Sequence, residues 1–194
     1  MAARLDLMLH TTDIKGAYLN ARLTVKEFCK SLPELADLLG DPDFAEPSTM
    51  ICIEGAMYGL PQAGRRFNQL YKKRALQFKS NDIKFVQSAV DPCIYIYRDH
   101  KRGTMSIIGA HVDDGLCAHN CEKPLGQFMS HMTASGFTLT DFEQVKHFLS
   151  VGIQRNKDTV EMNQKVSSVT KMLESEQDVF AQEMPFNPSV SLCP

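Results

Sequence analysis

A chain of 194 residues with 43% hydrophobic and 23% charged content is long enough to bury one substantial core and too ordinary in composition for global disorder. A formal net charge of -2 and a pI near 6.3 give no support to a uniformly basic nucleic-acid-binding protein, so any such contact has to come from local clusters. No apolar run approaches the roughly 20 residues that cross a bilayer, and no signal peptide is evident, so a soluble protein without membrane partners is expected.

Residues 5–13 are apolar with partial alternation, which predicts a strand ending near Asp13. Short helical character follows over 14–20, and residues 31–48, with Pro33, Pro42 and Pro47, predict an irregular surface excursion. Residues 50–54 predict a short strand. After it come a Gly59-Leu60-Pro61 turn and a helix over 62–79, with Pro61 in the first turn, where its missing amide hydrogen costs little. Arg65, Arg66, Lys72, Lys73 and Arg74 would give this helix a basic stripe; the plainer alternative is a solvated face.

Residues 93–97 and 105–111 predict a hairpin around a polar turn over 98–103. A third antiparallel strand over 115–118 would make Val112-Asp113-Asp114 the tip of a tight turn. Leu125, Phe128, Met129 and Met132 fall at helical spacing within a helix expected over 122–135. Strands over 145–154 and 159–162, a helix over 164–176 and an irregular Pro-containing tail complete the chain. Strands packed against two helices on one side describe an α+β domain, an antiparallel sheet of ferredoxin-like or palm type, over residues 1–176, with 177–194 as tail.

Six scattered cysteines without framework spacing suit a reducing compartment. Cys117, His119 and Cys121 offer soft ligands, but no second ligand pair stands at finger spacing, which argues against zinc. The carboxylates are more informative. Successive side chains on a strand point to opposite faces, whereas a turn lets Asp113 and Asp114 approach one face, and Asp13 at a strand end could complete an all-oxygen site. Magnesium prefers such oxygen ligands. Solvated turn acids remain the alternative for the dipeptide alone.

Four motifs then occur in order: Thr12-Asp13-Ile14-Lys15-Gly16-Ala17-Tyr18-Leu19-Asn20, Met57-Tyr58-Gly59-Leu60-Pro61-Gln62-Ala63-Gly64-Arg65, Asp91-Pro92-Cys93-Ile94-Tyr95 and His111-Val112-Asp113-Asp114. Together with Phe148-Leu149-Ser150-Val151-Gly152-Ile153 and Met162-Asn163-Gln164, they resemble the copia-type (Pseudoviridae) retrotransposon reverse transcriptase over residues 5–175. The resemblance implies a palm in which Asp13, Asp113 and Asp114 are catalytic and bind two magnesium ions, with manganese as a possible substitute. It implies deoxynucleoside triphosphates and a primed RNA or DNA template as partners. Tyr18 matches the aromatic gate against a ribose 2′-hydroxyl, beside Ala17. Gln62 matches the glutamine that contacts the incoming nucleotide. Arg65 and Arg66 would reach phosphate or template backbone, and His111 the primer end.

Three positions depart from the family pattern: His111 replaces the usual aromatic, Thr140 stands where a lysine is common, and Ser150 replaces a glycine of the primer-grip region. The resemblance also implies that fingers and thumb are largely missing from the chain, and it suggests a cytoplasmic particle as the place of synthesis. RNA-directed DNA polymerisation is the leading expectation. The alternative is a catalytically inactive retroelement remnant that binds nucleic acid or another protein.

Overall fold

Aromatic and aliphatic side chains at alternating strand positions and four-residue helix spacing divide the chain into a sheet and two covering helices. The computed structural model describes residues 2–164 apart from positions 47 and 81. Its elements are β1 (Met8–Ile14), β2 (Arg22–Lys30), α1 (Pro33–Leu39), β3 (Met50–Gly55), α2 (Ala63–Gln77), β4 (Val86–Gln87), β5 (Ile94–Asp99), β6 (Thr104–His111) and β7 (Asp114–His119). Then follow α3 (Glu122–Ala134), β8 (Leu139–Gln144), β9 (His147–Phe148), β10 (Val151–Arg155) and β11 (Val160–Gln164). The expected helix over 164–176, the domain end at 176 and the tail lie outside the described residues, save that Gln164 closes β11.

The main sheet has six strands in the order β4-β5-β6-β7-β1-β8, antiparallel throughout. Helices α2 and α3 cover one face. Their buried residues recur at helical spacing: Ala63, Phe67, Tyr71 and Ala75 on α2, and Leu125, Phe128 and Met132 on α3. They share a core with Ile14, Tyr95, Tyr97, Ile108 and Cys117 from the sheet. Phe85 and Phe128 lie 4.6 Å apart between ring centroids, and Tyr71 and Tyr95 5.5 Å. Each such buried aromatic contributes about 1.5–3 kcal/mol of transfer free energy. Alternation along β7 sends Cys117 to the helices and Leu116 and Ala118 to the other face. There the small β11-β10-β9 sheet covers Leu9 with Val145 and Ile153.

Several readings need correction, the first being that residues 33–39, expected within an irregular excursion, form the helix α1. Residues 22–30 form a strand, β2, which pairs with β3 and is mostly exposed, so it carries no buried-face pattern. Residues 139–144 form β8, on the free side of β1. The single strand expected over 145–154 is two, broken by a two-residue turn at Leu149 (φ 48°) and Ser150 (φ 65°). Left-handed backbone at both positions is the geometry that usually selects Gly or Asn, so neither residue signals the turn. Finally, Gln62 is the N-cap of α2, which leaves Pro61 outside the helix, and Arg74 is no part of a solvated stripe, because its guanidinium lies 4.1 Å from the Phe137 ring centroid. No helix among the described residues is long and apolar enough to cross a membrane.

His10 and His119 meet on β1 and β7 with ring nitrogens 3.0 Å apart. Desolvation lowers both imidazoles, and His10 lowers His119 further, against the opposing pull of Glu122. The folded state therefore binds protons less readily than the unfolded chain, whose histidines titrate near about 6.5, so stability falls as pH drops below that value. Urea midpoints measured from about pH 8 to pH 5 should decline, and less steeply for His10→Asn; equal slopes would remove the pair as the cause. Ser150→Gly should raise stability by about 0.5–1 kcal/mol, read by urea denaturation, because glycine accepts left-handed backbone.

Candidate active site

Pairing register assembles the site at one end of the main sheet. His111 faces Asp114 across β6 and β7, Asp114 faces Asp13 across β7 and β1, and Asp13 faces Thr140 across β1 and β8. Directly paired residues project on the same side of a sheet, so these four form a transverse row. The row is out of phase with Cys117 and Ile14 and lies on the face away from α2 and α3.

Val112 and Asp113 make the connection between β6 and β7. Val112 has φ 55°, a left-handed conformation that a β-branched residue rarely adopts and that costs about 1–3 kcal/mol. The turn is anchored to β1, whose Ile14 amide donates to the Asp113 carbonyl at 2.9 Å. Next to Asp114, Gly115 leaves room for the facing Thr12 side chain, which an added Cβ would strike.

Electrostatics tie the three carboxylates together. Desolvation raises the Asp114 carboxyl above its ordinary range, and the charges of Asp113 and Asp13 raise it further, while His111 opposes them. Thr140 donates to Asp13 Oδ2 at 2.9 Å, and the Tyr58 hydroxyl lies 3.5 Å from Asp113 Oδ2. Among the described residues, no group of three or more His, Cys, Asp or Glu side chains converges closely enough to hold a metal ion. The aspartates are thus electrostatic neighbours with hard oxygen donors, a set whose chemistry fits magnesium, although their side chains do not meet around one point.

The other expected residues separate into two groups. Tyr18 sits in a short 3-10 turn after β1, half-buried, with its ring against Tyr58 (4.5 Å between centroids) and Phe67 (6.3 Å). Gln62, at the start of α2, donates from Nε2 to Glu27 Oε1 of β2 at 2.7 Å. Ala17 is fully buried in the helix-side core, so its side chain is unavailable to a nucleotide and only its backbone could take part. Arg65 is exposed, whereas Arg66 is occupied by Thr24 and by Gln69 at 3.2 Å. His111 is exposed.

The family model for reverse transcriptase (RNA-dependent DNA polymerase) matches residues 1–185. The chain belongs to this family. No solved structure matches it. Membership gives this reverse transcriptase a polymerase class, with a nucleic-acid template and nucleotides as its substrates in general terms. Within that class, sequence reading overlooked Tyr58 and Glu27. Tyr58 sits in the motif over residues 57–65, but its contact with Tyr18 spans separate chain segments. Glu27 lies on the strand that went unrecognised.

A crowded carboxylate edge destabilises the fold whenever the acids are ionised. Asp114→Asn should therefore raise the thermal midpoint at about pH 7, and the gain should shrink toward about pH 3, where protonation already relieves the repulsion. Calorimetry at the two pH values tests this, and a gain of the same size at both would exclude charge as its origin.

Proposed function

We propose that the chain is the palm of a copia-type reverse transcriptase, a polymerase that extends a primer 3′-hydroxyl on an RNA or DNA template with deoxynucleotides. The observation that carries this reading is the in-register row His111, Asp114, Asp13 and Thr140, with Asp113 in the adjoining turn, in a chain of reverse transcriptase family. Support for the palm comes from connectivity: the order β6-β7-β1-β8, with α2 between β1 and β6 and α3 between β7 and β8, is that of a split β-α-β, ferredoxin-like unit.

Asp13, Asp113 and Asp114 would hold two magnesium ions, or manganese in their place, which when bound lower the pKa of a primer hydroxyl and neutralise charge on departing pyrophosphate. The remaining residues position substrate. Thr140 orients Asp13 through its hydroxyl hydrogen bond. The Tyr18 ring would stand where a ribose 2′-hydroxyl must pass, so that deoxynucleotides are favoured by a clash against their competitors. Gln62, its amide nitrogen committed to Glu27, retains its carbonyl oxygen as an acceptor for the nucleotide. Arg65 is the freer of the two arginines to meet phosphate, and His111, exposed beside Asp114, would face the primer terminus.

Primer extension by the purified chain on an oligonucleotide template, with magnesium and deoxynucleotides, tests the proposal. Extension is expected, and Asp113→Asn should reduce it by at least about a hundredfold through loss of one charge at the reacting centre. Undiminished extension by the variant would remove Asp113 from the mechanism. Failure of demonstrably folded protein to extend any primer would withdraw catalysis while leaving family membership intact.

A further inference from the structure

Tyr58 stands between the Tyr18 ring and the carboxylate turn. It is 63% exposed, yet its ring lies 4.5 Å from that of Tyr18 and is tilted 52° to it. On its other side Tyr18 meets Phe67, which is 3% exposed and belongs to the helix-side core, at 6.3 Å and 71°. The Tyr18 hydroxyl end passes over Gly64 at the start of α2, where an added Cβ would lie 3.7 Å away. Tyr18 therefore packs on the core through Phe67 and carries the exposed Tyr58 ring against it. The Tyr58 hydroxyl reaches to 3.5 Å from Asp113 Oδ2, a long hydrogen bond that aims the ring toward the carboxylate turn.

A steric gate discriminates only as well as its wall resists displacement. An aromatic side chain held on one face can swing about χ1 away from an extra hydroxyl, whereas one held on both faces has to clash with it. We propose that Tyr58 is a specificity-determining positioning residue: it braces Tyr18 from the solvent side, and the two tyrosines together exclude the ribonucleotide 2′-hydroxyl. This rests on the reading of Tyr18 as the sugar gate. It assigns the bracing to the Tyr58 ring and leaves its hydroxyl a secondary tether to Asp113.

Affinities of the full chain for dATP and ATP, measured by titration calorimetry with magnesium, give a deoxy-to-ribo preference for wild type, Tyr58→Ala, Tyr58→Phe and Tyr18→Ala. Tyr58→Ala should cut the preference by about tenfold, mostly by tightening ATP, and Tyr58→Phe should keep it within about twofold because the ring remains. Tyr58 is exposed, so both variants should melt with wild type, which separates bracing from unfolding. A preference lost in Tyr18→Ala but unchanged in Tyr58→Ala overturns the brace and leaves the gate standing. Preference unchanged in Tyr18→Ala, or no nucleotide bound by wild type, overturns the gate and the brace with it. Equal losses in Tyr58→Ala and Tyr58→Phe also overturn the proposal, because the hydroxyl and not the ring would then be responsible.

Discussion

The antiparallel register between β1 and β7 is the constraint on which the site depends. It sets Asp13 opposite Asp114, and a slip of one residue would turn one of them into the helix-side core. The register is held by what lies further along the same strands. Cys117 is locked among aromatic residues beneath α2 and α3, while Leu9, Leu116 and Ala118 are covered from the opposite side by the small sheet. Burial on both faces along the strands thus fixes the position of the half-buried carboxylates at their end. Repulsion among the acids and the left-handed Val112 both oppose folding, and the packed end supplies the free energy that offsets them.

A second constraint comes from outside the main sheet. The β2-β3 pair carries exposed Val25, Phe28 and Met50 and shares little of the core, yet two polar links from β2 reach α2: Glu27 to Gln62 and Thr24 to Arg66. Both contacts involve the first turn of α2 or the residue that caps it, the segment over which Tyr18 also lies. The pair therefore reaches the site through polar side chains besides the packing of Leu23 against the core. Displacing it would release Gln62 without unpacking Phe67 or Tyr71 from the core.

Much of this arrangement was readable from residue order. The hairpin of β5 and β6, the return along β7 and the turn at Val112 and Asp113 follow from period-two alternation interrupted by polar residues, because the strands bury one face and expose the other. Helices α2 and α3 were legible for the same reason, at a different period. What escaped depends on contacts between segments distant in sequence. β2 is stabilised by pairing with β3 and buries little, so its residues carry no core signature. The turn after β9 uses Leu149 and Ser150 in a conformation that their side chains disfavour, so tertiary context overrides local propensity. Ala17 lies beside Tyr18 in the motif, but its side chain turns into the core.

Thr140 joins the acidic row without adding charge to it. A lysine at this position would bring a positive charge to the acidic row, whereas threonine brings only a hydroxyl, which donates to Asp13 and fixes its orientation without neutralising it. The two ion pairs among the described residues, Arg102 with Asp99 and Arg155 with Asp6, both lie away from the row. Compensation from within the protein therefore falls to His111, which opposes the raised Asp114 carboxyl from the neighbouring strand. With a hydroxyl rather than a cation at position 140, the edge stays acidic and attracts cations.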